Sequence, residues 1–287
     1  MRLFGLLVGG SFLLWGCGGA SCPILRFERA ESLLEHHERL LAWAQSVQAE
    51  ALGTRYEAGA PIERSRLRGE LLWIVARPAL VRFDVMTQLG PAATLTSDGK
   101  RFALWERSEG RWFVGAPCPS NVARLLGIPV EASLLVRVLF GEAPRWVSSA
   151  VADEIECAEG RYRVRRRASD GRSEEFVYEV RSGDEKAAPE AQRLRLRHAW
   201  LRNPQGEIEL EFEWSDHRLV ADPKSQSPTP QGVALPHRIR MRFPKKAVEV
   251  DLKIQRIEIN GEIPEDAFVQ EIAPGFESEF LACEGGP

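Results

Sequence analysis

The sequence predicts a mainly β (α+β) domain. Four late segments alternate charged and apolar residues with period two, and two Asp-Gly pairs separate alternating runs. Helical periodicity is confined to one long stretch near the N-terminus and two short ones in the middle. About ten or eleven antiparallel strands follow from this pattern, with one long N-terminal helix and two short helices.

Residues 1–16 read as an export signal. Arg2 supplies positive charge, residues 3–14 are apolar, and Leu14-Trp15-Gly16-Cys17 closes the run. The apolar run is too short to span a bilayer. Leu-x-Gly-Cys in this position resembles a lipobox, which implies cleavage before Cys17 and covalent diacylglycerol and acyl lipid on that residue. Gly18 stands where an aspartate would signal inner-membrane retention, so the expected location is the outer membrane, lipid-anchored and facing the periplasm. Residues 17–26 form the tether, and residues 27–287 form one domain. Losing Arg2 takes the formal charge from -3 to -4, which gives no support for nucleic-acid binding.

With Cys17 assigned to lipid, Cys22, Cys118, Cys157 and Cys283 remain, an even number in an oxidising compartment. Four cysteines allow three pairings. The favoured one is Cys22–Cys283 with Cys118–Cys157, which ties the ends of the domain together beside the anchor. No metal site is expected: there is no Cys-x-x-Cys, and the five histidines are not suitably spaced.

Along the chain, residues 27–49 read as an amphipathic helix with Ala30, Leu33, Leu40, Ala44 and Val47 on one side. Strands are predicted at 67–76, 80–87, 92–97, 101–107 and 111–114. A helix over 119–126 starts at a proline and stops at Gly127. The next, over 131–140, is apolar nearly all round and must be buried or cover a cavity. Further strands are predicted at 161–167, 174–181, 193–202, 207–215, 233–243 and 247–259.

The last four carry a striped pattern. Arg193, Arg195 and Arg197 are followed by Glu207, Glu209, Glu211 and Glu213, then Arg238, Arg240 and Arg242, then Glu249 and Asp251, each alternating with apolar residues. One sheet face is therefore charged and the other apolar. If consecutive strands are neighbours, opposite charges meet across the ladder and the face compensates itself in solvent. The apolar face either packs on the helices or encloses a ligand cavity; the pattern fits both.

Residues 81–90 (Val-Arg-Phe-Asp-Val-Met-Thr-Gln-Leu-Gly), residues 123–129 (Ala-Arg-Leu-Leu-Gly-Ile-Pro) and the apolar helix ending in Gly141-Glu142-Ala143-Pro144 resemble the LolB family of outer-membrane lipoprotein receptors. The resemblance spans roughly residues 30–260 and is most specific over 80–144. It implies a single unclosed, curved antiparallel half-barrel, with the long helix and short lid helices over an apolar cavity for acyl chains. It also implies a LolA-like periplasmic carrier as partner, and membrane insertion by Leu89 in the turn 87–91. Gln88 stands where the family has proline, and the tail beyond 261 is additional. Trp73, Phe83, Phe102, Leu135, Leu139, Phe212 and Trp214 are the expected cavity lining, and a monomer is expected. No catalytic motif is present, so an enzyme is not expected; Asp84, alternating with Phe83 and Val85, should face water.

Overall fold

A computed structural model describes residues 21–59, 66–224, 232–272 and 274–283. The export signal, its cleavage site and lipid on Cys17 lie outside these residues. The described chain forms one unclosed, curved sheet of 14 strands with three α-helices.

The strands are β1 (Ser46–Glu57), β2 (Arg66–Ala76), β3 (Leu80–Thr87), β4 (Gly90–Ser97), β5 (Phe102–Glu106), β6 (Arg111–Gly115), β7 (Ala150–Ala158), β8 (Arg161–Ala168), β9 (Ser173–Val180), β10 (Leu194–Arg202), β11 (Ile208–Ala221), β12 (Gly232–Phe243), β13 (Val248–Ile259) and β14 (Ser278–Leu281). Their order is β14-β6-β5-β4-β3-β2-β1-β13-β12-β11-β10-β9-β8-β7. The helices α1 (Ala30–Leu41), α2 (Pro119–Leu126) and α3 (Ala132–Leu139) pack on the sheet, α3 against β2 and β3 and α2 against β5.

Three strands exceed the expected count. β1 takes residues assigned above to the long helix, which stops at Leu41. Gln48, Ala49, Glu50 and Ala51 favour helix, yet Val47, Ala49 and Ala51 are buried on one face, and β1 pairs along its length with β2 and β13. Two ladders override local propensity. β7 is a mostly exposed acidic edge with little apolar alternation to reveal it. The short β14 runs parallel to β6, a departure from the antiparallel expectation.

The charged stripe compensates itself, with one change of partner. Arg240 meets Glu213 at 2.7 Å and Glu249 at 3.2 Å; Arg242 meets Glu211 and Glu249, both at 2.9 Å; Arg238 meets Asp251 at 2.7 Å. Arg193, just before β10, and Arg197 within it pair towards β9 and the β9–β10 connection instead of β11. The register sets His198 opposite Glu213 and Trp200 opposite Glu211, and a bulge at Arg197 shifts the phase. Arg197 therefore pairs with Glu179, and Arg193 with Asp184.

The predicted disulfide pairing is corrected: Cys22 bonds Cys157, and Cys118 bonds Cys283. The expected bonds, Cys22–Cys283 and Cys118–Cys157, would each join segments that the sheet holds at opposite edges. After β13 the tail crosses the outer face of β3–β5. There the Gln270 amide donates to Thr94 O, Thr96 Oγ1 and Ala103 O, and Arg82 donates to Ala267 O. Asp84 therefore lies partly covered, accepting from Arg82 and Thr94. With Cys283→Ser, amide exchange is expected to accelerate in β14 and β6 while β10–β13 stay protected. Uniform acceleration across the sheet would show that the tail stabilises the whole domain instead.

A chain of ion pairs fixes α1. Glu31 bonds Arg145 at 2.7 Å and approaches Arg166 at 3.5 Å; Glu38 meets Arg145 at 2.9 Å and also Arg137. Arg166 bonds Glu174 at 2.6 Å, and both side chains are almost wholly buried.

Candidate functional site

The seven residues expected to line a cavity come together, but as packed interior. Trp73, Phe83, Phe102, Leu135, Leu139, Phe212 and Trp214 are each at most 1% exposed and share one apolar cluster. Trp73 and Phe83 rings lie 5.9 Å apart, as do Phe212 and Trp214, and the Trp214 indole donates to Val138 O at the end of α3. Such a cluster is the close-packed core that long apolar side chains make between a sheet and the helices packed on it.

A cleft of about 680 Å³ opens further along the same strands, at the ends where β1 and β3 finish. None of the seven residues lines it. Its lining includes Gly53, Gly69, Leu71, Val85, Ala93 and Val250, with Leu125 and Leu126 of α2 above. The reason is local. Gly53 and Gly69 are directly opposed in the β1–β2 ladder, so two consecutive strands present no side chain at that level. One step inward on β2 stands Leu71, and beyond it Trp73. Glycine inside a strand costs stability and leaves room for something to approach the backbone. The only signal in the sequence is a glycine inside each segment, and β1 itself does not read as a strand.

Helix α2 is set over the cleft by its ends. Pro119 starts it, and Gly127, left-handed at φ 77°, stops it. Arg124 then reaches the rim, with its guanidinium 3.9 Å from the Phe113 ring centre. Opposite lie Glu106 and Glu109. Burial and the neighbouring Glu109 push the Glu106 carboxyl up, against the pull of Arg124.

Leu89 stands at these same strand ends, on the β3–β4 turn, and is 81% exposed. The turn is built to hold it outward. Gly90 takes φ 98°, Thr87 Oγ1 donates to Gly90 O and accepts from Leu89 N, and Arg107 donates to Leu89 O. A leucine folded back onto the core is thus not what the structure shows. A second cleft, of about 630 Å³ beside α1, is lined by Glu35, Glu38, Arg39, Arg77, Arg137 and Glu142. Several of these charges neutralise one another, Arg77 and Glu142 at 2.6 Å among them, so the apolar-floored cleft is the stronger candidate.

Among the described residues no group of three or more His, Cys, Asp or Glu could hold a metal ion, and no helix is long and apolar enough to cross a membrane.

No family model matches the chain, and no curated protein matches it. Solved structures do. A LolA superfamily protein from Nitrosomonas europaea aligns with TM-score 0.50 and 9% identity, over 84% of this chain and 98% of that one. A DUF1329 family protein from Desulfovibrio piger aligns with TM-score 0.52 and 8% identity, over 84% and 98%. At such identities the likeness shows the fold: this chain has a LolA/LolB-like fold.

Proposed function

We propose that the protein is a lipoprotein of the outer membrane, anchored through lipid on Cys17, that takes acyl chains of lipoproteins or lipids into the cleft under α2. The role is binding rather than catalysis. The observation that carries this reading is the cleft itself: an apolar floor made by the Gly53–Gly69 pair, opening where Leu89 stands exposed. Its volume falls within the range of roughly 300–1,000 Å³ usual for small-molecule sites. A LolA-like periplasmic carrier is the proposed donor. Transfer without nucleotide requires only that this site bind the acyl chain more tightly than the donor does. Leu89 is the apolar side chain that a carrier or a membrane meets first at the mouth.

The competing reading is a structural envelope lipoprotein with no cargo. The closed packing of Trp73, Phe83, Phe212 and Trp214 favours it, since these side chains fill the lower interior. A transfer assay separates the two. The soluble domain with Cys17→Ala is mixed with a lipoprotein-loaded carrier, and cargo is located by pull-down. Cargo should move to this domain, and Leu89→Glu should keep it but fail to pass it to liposomes. If no cargo moves and no lipid co-purifies, the structural reading replaces the carrier one.

Filling the cleft is a sharper control. A Cβ at Gly69 would meet only Val85 Cγ1, at 3.8 Å, an ordinary contact. Gly69→Leu should therefore fold normally and place its side chain in the cleft. Lipid recovered by native mass spectrometry should fall at least about tenfold, the equivalent of 1.4 kcal/mol. Unchanged recovery would move the binding site elsewhere. At Gly53 a Cβ would lie 2.3 Å from Leu71 Cδ1, so substitution there confounds filling with strain.

A further inference from the structure

The corrected disulfide fixes which way the domain stands on its membrane. Cys157 lies at the end of β7 that turns into β8, and Cys22 is bonded to it with 6.1 Å between Cα atoms. Five chain steps separate Cys17 from Cys22, a reach of at most about 18 Å. Whatever holds Cys17 thus holds this end of the strands close by.

The same end carries exposed apolar side chains. Ile24 and Leu25 are 74% and 54% exposed, and Trp43 is 50% exposed. Their backbone positions are fixed at neighbouring strand ends. Ile24 N donates to Glu185 O in the β9–β10 connection, and Gln192 Nε2, just before β10, donates to Leu25 O. Trp43 donates its indole N–H to Asp222, just past β11, and Asn260, just past β13, donates to Trp43 O. The Trp43 indole therefore has its polar atom satisfied while much of the side chain lies open, which suits the boundary between lipid and water. The cleft mouth and Leu89 lie at the opposite strand ends. β1, with 12 residues, spans roughly 36–40 Å between the two, well beyond the reach of the tether.

We infer that the strand ends bearing Ile24, Leu25 and Trp43 rest on the leaflet that holds the lipidated Cys17, so that the cleft mouth and Leu89 face the aqueous side. This rests on the lipid-anchor reading of Cys17. The occupant of the apolar patch is the bilayer because the anchor lies at most about 18 Å along the chain from Cys22, which keeps this end of the domain, and not the cleft end, within reach of the leaflet. Leu89 then meets an arriving carrier first, and delivers cargo to a bilayer only when the domain tips about its tether to bring the cleft mouth down.

The test uses the full lipidated chain with both disulfides intact, in vesicles of phosphatidylethanolamine, phosphatidylglycerol and brominated phosphatidylcholine. Leu25→Cys and Leu89→Cys are each labelled with bimane. The label at 25 should lose emission to the bromine quencher, and the label at 89 should keep it. An unquenched label at 25, or equal quenching at 89, overturns the orientation. The mass of the membrane-extracted chain reads the anchor separately: lipid on Cys17 with no quenching at 25 sinks only this inference, whereas an unlipidated Cys17 sinks the anchor reading and this inference with it. Leu25→Glu in the Cys17→Ala chain should weaken co-sedimentation with the same vesicles while the circular dichroism spectrum stays unchanged; unaltered sedimentation counts against the patch.

Discussion

Lowering the pH from about 7 to about 4 is expected to lower the Tm of the domain steadily, with His37 and His217 as the main causes. His37 sits on the buried side of α1, 3% exposed, with its ring 4.9 Å from Tyr178 and no hydrogen-bond partner for Nδ1. Burial first, then the nearby His217, His36 and Arg137, lower its pKa from 6.5 to about 3. His217 is lowered to about 3 as well, by burial and then by Arg197 and Arg195. His198 and His237 shift the same way, burial being the largest cause in each. The unfolded chain takes up these protons near 6.5 while the folded chain refuses them. The stability they contribute is whole above 6.5 and is lost as pH falls toward 3. For His37 alone the slope is about 1.4 kcal/mol per pH unit between those values. Glu174 and Glu106, whose carboxyls burial pushes up, oppose the trend above about 4.5, where the folded chain takes up their protons before the unfolded chain does. Asp184 and Asp251, held low in the folded state, reinforce it below about 4. Between about 6.5 and about 4.5 four lowered histidines outnumber the two raised carboxyls, so the net trend is downward. His37→Phe should narrow the gap between the Tm values at neutral and acid pH. A gap of the wild-type size would place the acid sensitivity in other groups.

Glu174→Ala should be the most damaging single substitution proposed. The Glu174 side chain is fully buried and accepts from Arg166 at 2.6 Å and from the backbone N–H groups of Trp146 and Val147 at 2.7 and 2.8 Å. Removing it orphans the Trp146 and Val147 N–H groups and leaves the nearly buried Arg166 with a bond to Val147 O at 3.2 Å and longer carboxylate contacts to Glu31 and Asp153, both 3.5 Å. Breaking a buried pair in this way costs about 3–5 kcal/mol. Urea denaturation should show a lower midpoint with an unchanged slope. Glu174→Gln keeps an acceptor and should lose less. Equal losses for the two would mean that volume, not the charge-assisted bonds, matters at this position.

Much of the architecture was legible wherever side chains alternate strictly. The strands over 193–259 and the hairpins at Asp98-Gly99 and Asp170-Gly171 follow directly from that pattern. β1 was not, because its alanines, glutamine and glutamate suit a helix and only pairing on both sides makes them a strand. The bulge at Arg197 was invisible too, since one inserted residue changes which arginine faces which acid without altering composition. The site was half legible. Large aromatics mark an interior, and they do build it, but open space comes from a missing side chain, here at Gly69, while Leu71 leans over Gly53. The disulfide pairing depends on which strands end up at the sheet edges, and local patterns do not encode that.

The two disulfides also have a bearing on solubility. A sheet that does not close leaves two edges, β7 and the β6–β14 side, each a potential template for another chain. One bond secures the N-terminal segment to β7, and the other secures β14 along β6. Both bonds persist only where thiols are kept oxidised. In a reducing cytosol the same polypeptide would expose β6 whenever its tail strand came away, and it would self-associate edge to edge. Reduction of the two bonds is therefore expected to promote association, which light scattering with and without reductant would read.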